Sequence, residues 1–225
     1  MAPVIRRLGA EMLGSALLCT VVIGSGIAAS RLSPSDTGLQ LLENAAATGL
    51  GLFVIILVFL PVSGAHINPV VSLVDGIFGN RPWRELAAYI PAQILGCSAG
   101  AIAANLMFDL PAVSISTKER VTGGTFLAEV IATAGLILII FALVRLEKLS
   151  AIPAAVGAYI GAAYFFTSST SFANPAITIG RMLSDTFAGI APSSAPAFVL
   201  AQLIGGAIGL ALVTLLFPSP RHTAV

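Results

Sequence analysis

Apolar residues fall in long blocks along this chain rather than in short alternating runs. Six blocks are long enough to cross a hydrocarbon layer as helices, at roughly 8–29, 39–61, 84–108, 123–144, 150–168 and 195–217, the fifth being the shortest. Two further stretches, 67–78 and 174–186, are too short to cross, and each contains one Asn-Pro step, Asn68-Pro69-Val70 and Asn174-Pro175-Ala176. Asn is a strong N-cap and Pro is favoured at the first helical position, so each step marks a helix start. A loop exposed to lipid at that depth would leave backbone groups unpaired, so both stretches must be buried in protein or line water. The pattern predicts an all-α membrane protein of six transmembrane helices plus two re-entrant half-helices.

The two halves repeat. Ala10-Glu11-Met12 echoes Ala128-Glu129-Val130, Ala92-Gln93-Ile94-Leu95-Gly96 echoes Ala201-Gln202-Leu203-Ile204-Gly205, and Asn68-Pro69 echoes Asn174-Pro175, in the same order and at offsets of 118, 109 and 106 residues. Three spans per copy is an odd number, so the second copy enters from the opposite face. Such an inverted repeat brings the two half-helices together near the midplane. The repeats run over roughly 1–108 and 122–217 of a single domain covering 1–225.

Composition sharpens this picture. Of 225 residues 57% are hydrophobic and 9% charged, with mean hydropathy +0.98, against about 25% charged in soluble domains. The lipid bilayer is therefore a partner, and a net charge of +1 offers nothing to nucleic acid. Cys19 and Cys97 lie inside apolar spans, which speaks against a disulfide framework. Residues 1–29 read as the first span rather than a cleavable signal. With both termini on the cytoplasmic side, that side holds Arg6, Arg7, Arg81, Arg84, Arg145, Lys148 and Arg221, and the other holds Arg31, Lys118, Arg120 and Arg181; this seven-to-four split favours cytoplasmic termini. No catalytic motif, metal-ligand set or cofactor motif stands out.

The candidate chemistry lies at the two half-helix starts. The side-chain oxygens of Asn68 and Asn174 can accept from the free N–H groups of their own half-helices, which holds the two amide hydrogens of each toward a molecule in the pore. Two helix N-termini meeting there each carry roughly half a positive charge, which repels cations and offers donors to neutral polar solutes. Glu11 and Glu129 are costly in lipid and should face the interior. They are expected to accept from backbone N–H groups of the re-entrant loops rather than to relay protons. Gln93 and Gln202 are expected to brace the interior, and His66 to tie down loop carbonyls.

Ser63-Gly64-Ala65-His66-Ile67-Asn68-Pro69, the second Asn-Pro-Ala and the paired Glu and Gln residues make the chain resemble the aquaporin and aquaglyceroporin (major intrinsic protein) family over nearly its whole length. The resemblance implies a channel that assembles as a homotetramer, with no cofactor. It places an outer selectivity filter, counted from the two motifs, at Thr48, Ala162, Ser171 and Ile177. The last position is most often Arg in the family; here it is Ile, and no aromatic residue or His accompanies it. A wide, weakly polar ring without fixed charge resembles bacterial aquaglyceroporins linked to arsenic resistance, in the inner membrane, and so implies uncharged metalloid hydroxides such as arsenite and methylated arsenicals as solutes, with glycerol and water possible. The run Thr178-Ile179-Gly180-Arg181 and then Asp185 also looks like that group; Arg181 is expected to be a loop residue paired with Asp185. Val70 replaces the usual Ala and is expected to crowd the space between the half-helix tips without closing the pore. The alternative function is a secondary transporter, since inverted repeats and broken helices also serve alternating access; dependence on a proton gradient would separate it from a channel. A membrane-structural role is a third reading, which solute flux in vesicles would exclude.

Overall fold

A computed structural model describes residues 2–218. Six long helices cross the molecule: α1 (Val4–Leu32), α2 (Thr37–Ser63), α4 (Trp83–Met107), α5 (Gly123–Arg145), α6 (Ile152–Phe166, entered through a 3-10 turn at Leu149–Ala151) and α8 (Ala195–Leu216). The short helices α3 (Pro69–Ile77) and α7 (Pro175–Arg181) are the two half-helices. Local chemistry sets the ends. Asp36 caps α2 by accepting from the Leu39 N–H at 2.9 Å, and Thr122 and Thr125 cap α5 reciprocally. Pro61 and Pro91 sit inside α2 and α4. Leu50, Val54, Leu57, Leu95, Leu127 and Ile131 are exposed on the outer surface, as lipid contact requires.

The repeat is visible in the packing. In the first half α1 lies against α4, and in the second α5 lies against α8. Both crossings are too close for side chains. A Cβ at Gly96 or Gly100 would stand 2.2 or 2.1 Å from the carbonyl oxygens of Met12 and Ala16, and one at Gly205 would stand 2.5 Å from that of Val130. Where the halves meet, α2 crosses α6 at Gly49 and Gly157, and a Cβ on either would fall within 3 Å of the other's carbonyl oxygen. This arrangement leaves a passage between the halves, into which both half-helices point their N-termini.

The second half-helix is shorter than its apolar run. It stops at Arg181 instead of continuing to 186, because distant groups take up the carbonyls of the two residues just beyond it. The Met182 oxygen accepts from the Ser116 N–H, and the Leu183 oxygen accepts from the Ser114 N–H and the Asn105 side-chain amide. Arg221, one of the charges counted for orientation, lies outside the described residues.

Candidate pore

Both loops solve one problem in the same way. Asn68 Oδ1 accepts from the Val70 N–H at 2.9 Å, and Asn174 Oδ1 accepts from the Ala176 and Ile177 N–H groups at 2.9 and 3.3 Å. Each side-chain amide then reaches across: Asn68 Nδ2 donates to the Ala173 oxygen at 2.7 Å, and Asn174 Nδ2 donates to the Ile67 oxygen at 2.8 Å. One of the two amide hydrogens of each Asn is thus spent on stitching the loops together. Each therefore has one hydrogen for the passage, not the two expected from capping alone.

The chain before each Asn is strained. The residues three and one before it, Ala65 and Ile67 in the first loop and Ser171 and Ala173 in the second, have φ between 41° and 50°. Such left-handed backbone costs about 1–2 kcal/mol per non-glycine residue, so something must hold it. The buried carboxylates do. Glu11 accepts from the N–H groups of His66 (3.0 Å) and Ile67 (2.6 Å), and Glu129 from those of Phe172 and Ala173 (both 2.9 Å). In turn Gln93 donates to Glu11 at 2.8 Å and Gln202 donates to Glu129 at 2.6 Å, and each also donates to a half-helix hydroxyl, Ser72 or Thr178, at 3.0 Å. All four of these Glu and Gln side chains are fully buried. A carboxylate accepts at both oxygens, so one acidic residue per half satisfies two N–H groups that no helix can take.

A cavity of about 330 Å³ runs along these loops. One wall is apolar, with Leu52, Ile56 and Leu60 of α2 and Ile152, Val156 and Ile160 of α6, each set at four-residue steps. The other carries the loop backbone with Asn68 and Asn174. Of the four positions proposed as a filter, Thr48, Ser171 and Ile177 line the cavity. Ala162 does not: it is exposed on the outside of α6. The register of α6 explains this. Its inward residues are 152, 156, 160 and 164, and position 162 is turned by about 200° from 160. Tyr164 takes the place instead; it is buried, lines the cavity, and its hydroxyl lies 3.1 Å from that of Thr48. Phe172 lines it too, so aromatic rings that the motif spacing did not reveal are present.

Three other expectations need correction. His66 binds no loop carbonyl; its Nδ1 lies 3.1 Å from the Ser72 hydroxyl and its Nε2 faces Asp75 at 3.6 Å, because the ring turns toward its own half-helix and packs edge-on against Tyr89. Val70 does not lie between the half-helix tips; it packs outward with Val74, Ile137 and Val213, and sits over Gly206, where a Cβ would come within 2.4 Å of it. Arg181 does not pair with Asp185. It is 2% exposed, its Nε donates to the Ala188 oxygen, and its guanidinium stacks 3.4 Å from the Phe172 ring centre. Asp185 instead accepts from the Thr117 N–H at 2.9 Å, which holds its carboxyl below the usual carboxylate range.

The two mouths differ in charge. On the face that carries the N-terminus, Arg7 binds Glu85 through two bonds of 2.6 and 2.5 Å, and Arg81 lies 3.2 Å from Glu85 and 3.7 Å from Asp75. On the far face Arg181 and Arg120 both address the Phe172 ring, Arg120 from 5.3 Å, and Arg120 spends its hydrogens on the Gly189 and Phe187 oxygens. Among the described residues, every ion pair lies at the first mouth. Burial, then the neighbouring charges of Arg120 and Arg181, hold the Lys118 ammonium down to about 8; burial and the Arg181 charge likewise hold Arg120 below the ordinary arginine value.

Comparisons with known proteins agree with this architecture. The pattern of the Major intrinsic protein family matches residues 1–171. Aquaglyceroporin AqpS of Rhizobium meliloti is 46% identical over 216 residues, covering 96% of this chain and 92% of that protein. A probable glycerol uptake facilitator protein of Thermotoga maritima is 38% identical over 101 residues, covering 44% of this chain and 42% of that one. The X-ray structure of the aquaglyceroporin from Plasmodium falciparum superposes with a TM-score of 0.75 over 95% of this chain and 97% of that one; at 21% identity, that likeness concerns the fold alone. The chain therefore belongs to the major intrinsic protein family: it is a multi-pass membrane channel for small solutes, and not an enzyme.

Proposed function

We propose that this protein passes small uncharged polar solutes down their gradients, with glycerol and uncharged metalloid hydroxides such as arsenite and methylated arsenicals among them, and with water accompanying them. The observation that carries this reading is the pair Asn68 and Asn174. Each has one amide hydrogen left after stitching the loops, at the meeting point of two helix N-termini and opposite an apolar wall. A neutral solute with hydroxyls and a carbon or metalloid body matches both sides of such a passage. A cation meets two half-helix dipoles of the wrong sign. Ile177 lines the cavity where the family most often has Arg, which removes bulk and five N–H donors from that level. The names of the relatives support the solute class: one is an aquaglyceroporin and another a probable glycerol uptake facilitator.

The whole chain acts as one channel unit, assembled as a homotetramer in a bacterial inner membrane. Both termini face the cytoplasm, so the paired-charge mouth is the inner one. The test of solute class is Ile177→Arg, compared at equal amounts of folded protein in vesicles. Flux of methylated metalloid acids should fall by more than about tenfold while water flux is largely kept. Equal loss of both would show that Ile177 does not set the solute size.

A further inference from the structure

The turn after α7 gathers three cations on consecutive carbonyl groups. The Phe187 oxygen accepts from Lys118 Nζ at 2.9 Å and from Arg120 Nη2 at 3.0 Å, the Ala188 oxygen accepts from Arg181 Nε, and the Gly189 oxygen accepts from Arg120 Nε at 2.6 Å. Both guanidinium groups also lie against the Phe172 ring. Carbonyl dipoles orient these side chains but cancel none of their charge. Carboxylates do not cancel it either: among the described residues none of the three cations is in an ion pair. Glu119 is taken by the Ser193 and Ser194 hydroxyls, Asp185 by Thr117, and Glu129 by two loop N–H groups and Gln202. The repulsion reaches Lys118, whose ammonium is lowered to about 8 by burial and then by the charges of Arg120 and Arg181. A guanidinium has five N–H donors. Among the described residues Arg181 spends one of them, although it is buried, and Arg120 spends two. Two guanidinium groups that share one ring without a counter-charge are costly, and a buried one with four hydrogens unspent is the costlier of the two. The half-helix fixes where they stand: Ile177 lines the cavity, and Arg181 lies one turn further out on the same face of α7.

We infer that Arg181 and Arg120, beside the Phe172 ring, form a docking site for a monovalent oxyanion at the far mouth. This goes beyond the channel reading, because the ligand is charged and is held rather than passed. Two oxygens on one central atom match the forked donors of a guanidinium, and a single negative charge between two arginines supplies the counter-charge that the chain itself does not. An anion held there stands at the outer end of the passage, next to a ring that lines it, and so obstructs neutral solutes. Two kinds of ion carry this chemistry. One is an inorganic oxyanion such as nitrate. The other is the conjugate base of a weak acid, such as dimethylarsinate.

The experiment has two readouts on the purified protein: thermal unfolding in detergent and glycerol flux into vesicles. Each is measured at neutral pH while nitrate or dimethylarsinate replaces chloride at fixed ionic strength. Either ion should raise the unfolding temperature and lower glycerol flux saturably, with half-effect at about millimolar concentration. In Arg120→Gln, which changes a partly exposed residue, the half-effect concentration should rise about tenfold, the change expected when one charge-assisted hydrogen bond is lost. Arg181→Gln should do the same where it folds. An effect of nitrate alone would assign the site to inorganic oxyanions, and an effect of dimethylarsinate alone would assign it to conjugate bases of weak acids. A rise in unfolding temperature without loss of flux would keep the site and overturn its place in the passage. Neither effect with either ion, or the same response in folded Arg120→Gln as in the unsubstituted protein, would overturn the inference and leave the arginines as a barrier to cations only. Absence of glycerol flux even in chloride would overturn the channel reading instead, and the unfolding temperatures would still decide the site.

Discussion

The two re-entrant loops share a skeleton and differ in everything around it. At matched positions each has three left-handed residues, one carboxylate holding two N–H groups, one Gln holding the carboxylate, and one Asn that caps its own half-helix and binds the other loop. Beyond that shell the likeness ends. The first loop opens on His66, Asp75, Arg81 and Glu85, where charges of both signs are paired. The second opens on Phe172, with Arg181 and Arg120 against its ring and Lys118 nearby. The midplane is built for symmetry because both loops face the same backbone problem. The mouths are free to diverge, and that is where solute and ion discrimination can differ between the two faces.

The largest effect should come from breaking the shared skeleton. Glu11→Leu strands the His66 and Ile67 N–H groups and Gln93, and Glu129→Leu strands their counterparts. At about 1–3 kcal/mol per buried unsatisfied group, each should cost on the order of 4 kcal/mol or more. Thermal unfolding in detergent should show both variants failing alike; a stable Glu129→Leu beside an unfolded Glu11→Leu would break the equivalence of the halves. Next come Asn68→Asp and Asn174→Asp. A carboxylate still caps, but it faces the opposite loop's carbonyl with no hydrogen to donate and puts a negative charge at the midplane. Glycerol flux per folded molecule should drop at least about tenfold in both, since a hydrogen bond to a buried partner is replaced by repulsion.

Smaller effects should separate the mouths. Arg181→Leu removes a buried charge from the far mouth, so leakage of monovalent cations should rise, read as collapse of a potassium diffusion potential. Arg81→Leu should raise it less, because Glu85 keeps its partner Arg7. Least of all is a pH effect at the far mouth. Lys118 titrates at about 8, lowered from the usual lysine value, so its positive charge is present at pH 7 and largely gone at pH 9. Cation exclusion should weaken slightly over that interval, and Lys118→Gln should reduce the change, leaving the smaller contribution of Arg120, whose charge is also held down by burial.

Much of the architecture is legible in the residues. Asn-Pro starts a helix wherever it lies, and an apolar block of known length crosses a bilayer, so the six spans and the two half-helix starts follow from local rules. What was not legible depended on contacts between distant segments or on which face of a helix is inside. The far end of α7 is set by Asn105, Ser114 and Ser116, some seventy residues earlier in the chain. Arg181 finds Phe172 rather than Asp185 because the half-helix folds back beside its own loop. Ala162 and Tyr164 show the deeper difficulty. In a membrane helix the lipid face and the buried face are both apolar, so hydrophobic periodicity hardly distinguishes them. The four-residue series Ile152, Val156, Ile160 and Tyr164 was a usable signal, but a count carried over from family spacing pointed to the wrong face.

The central claim is passive passage of neutral solutes through the Asn68–Asn174 gap. It is tested most directly by glycerol flux into vesicles holding the purified protein, measured with and without a proton gradient. The account predicts flux well above that of empty vesicles, unchanged when a protonophore collapses the gradient. Flux that stops with the gradient, or never exceeds that of empty vesicles, would contradict it.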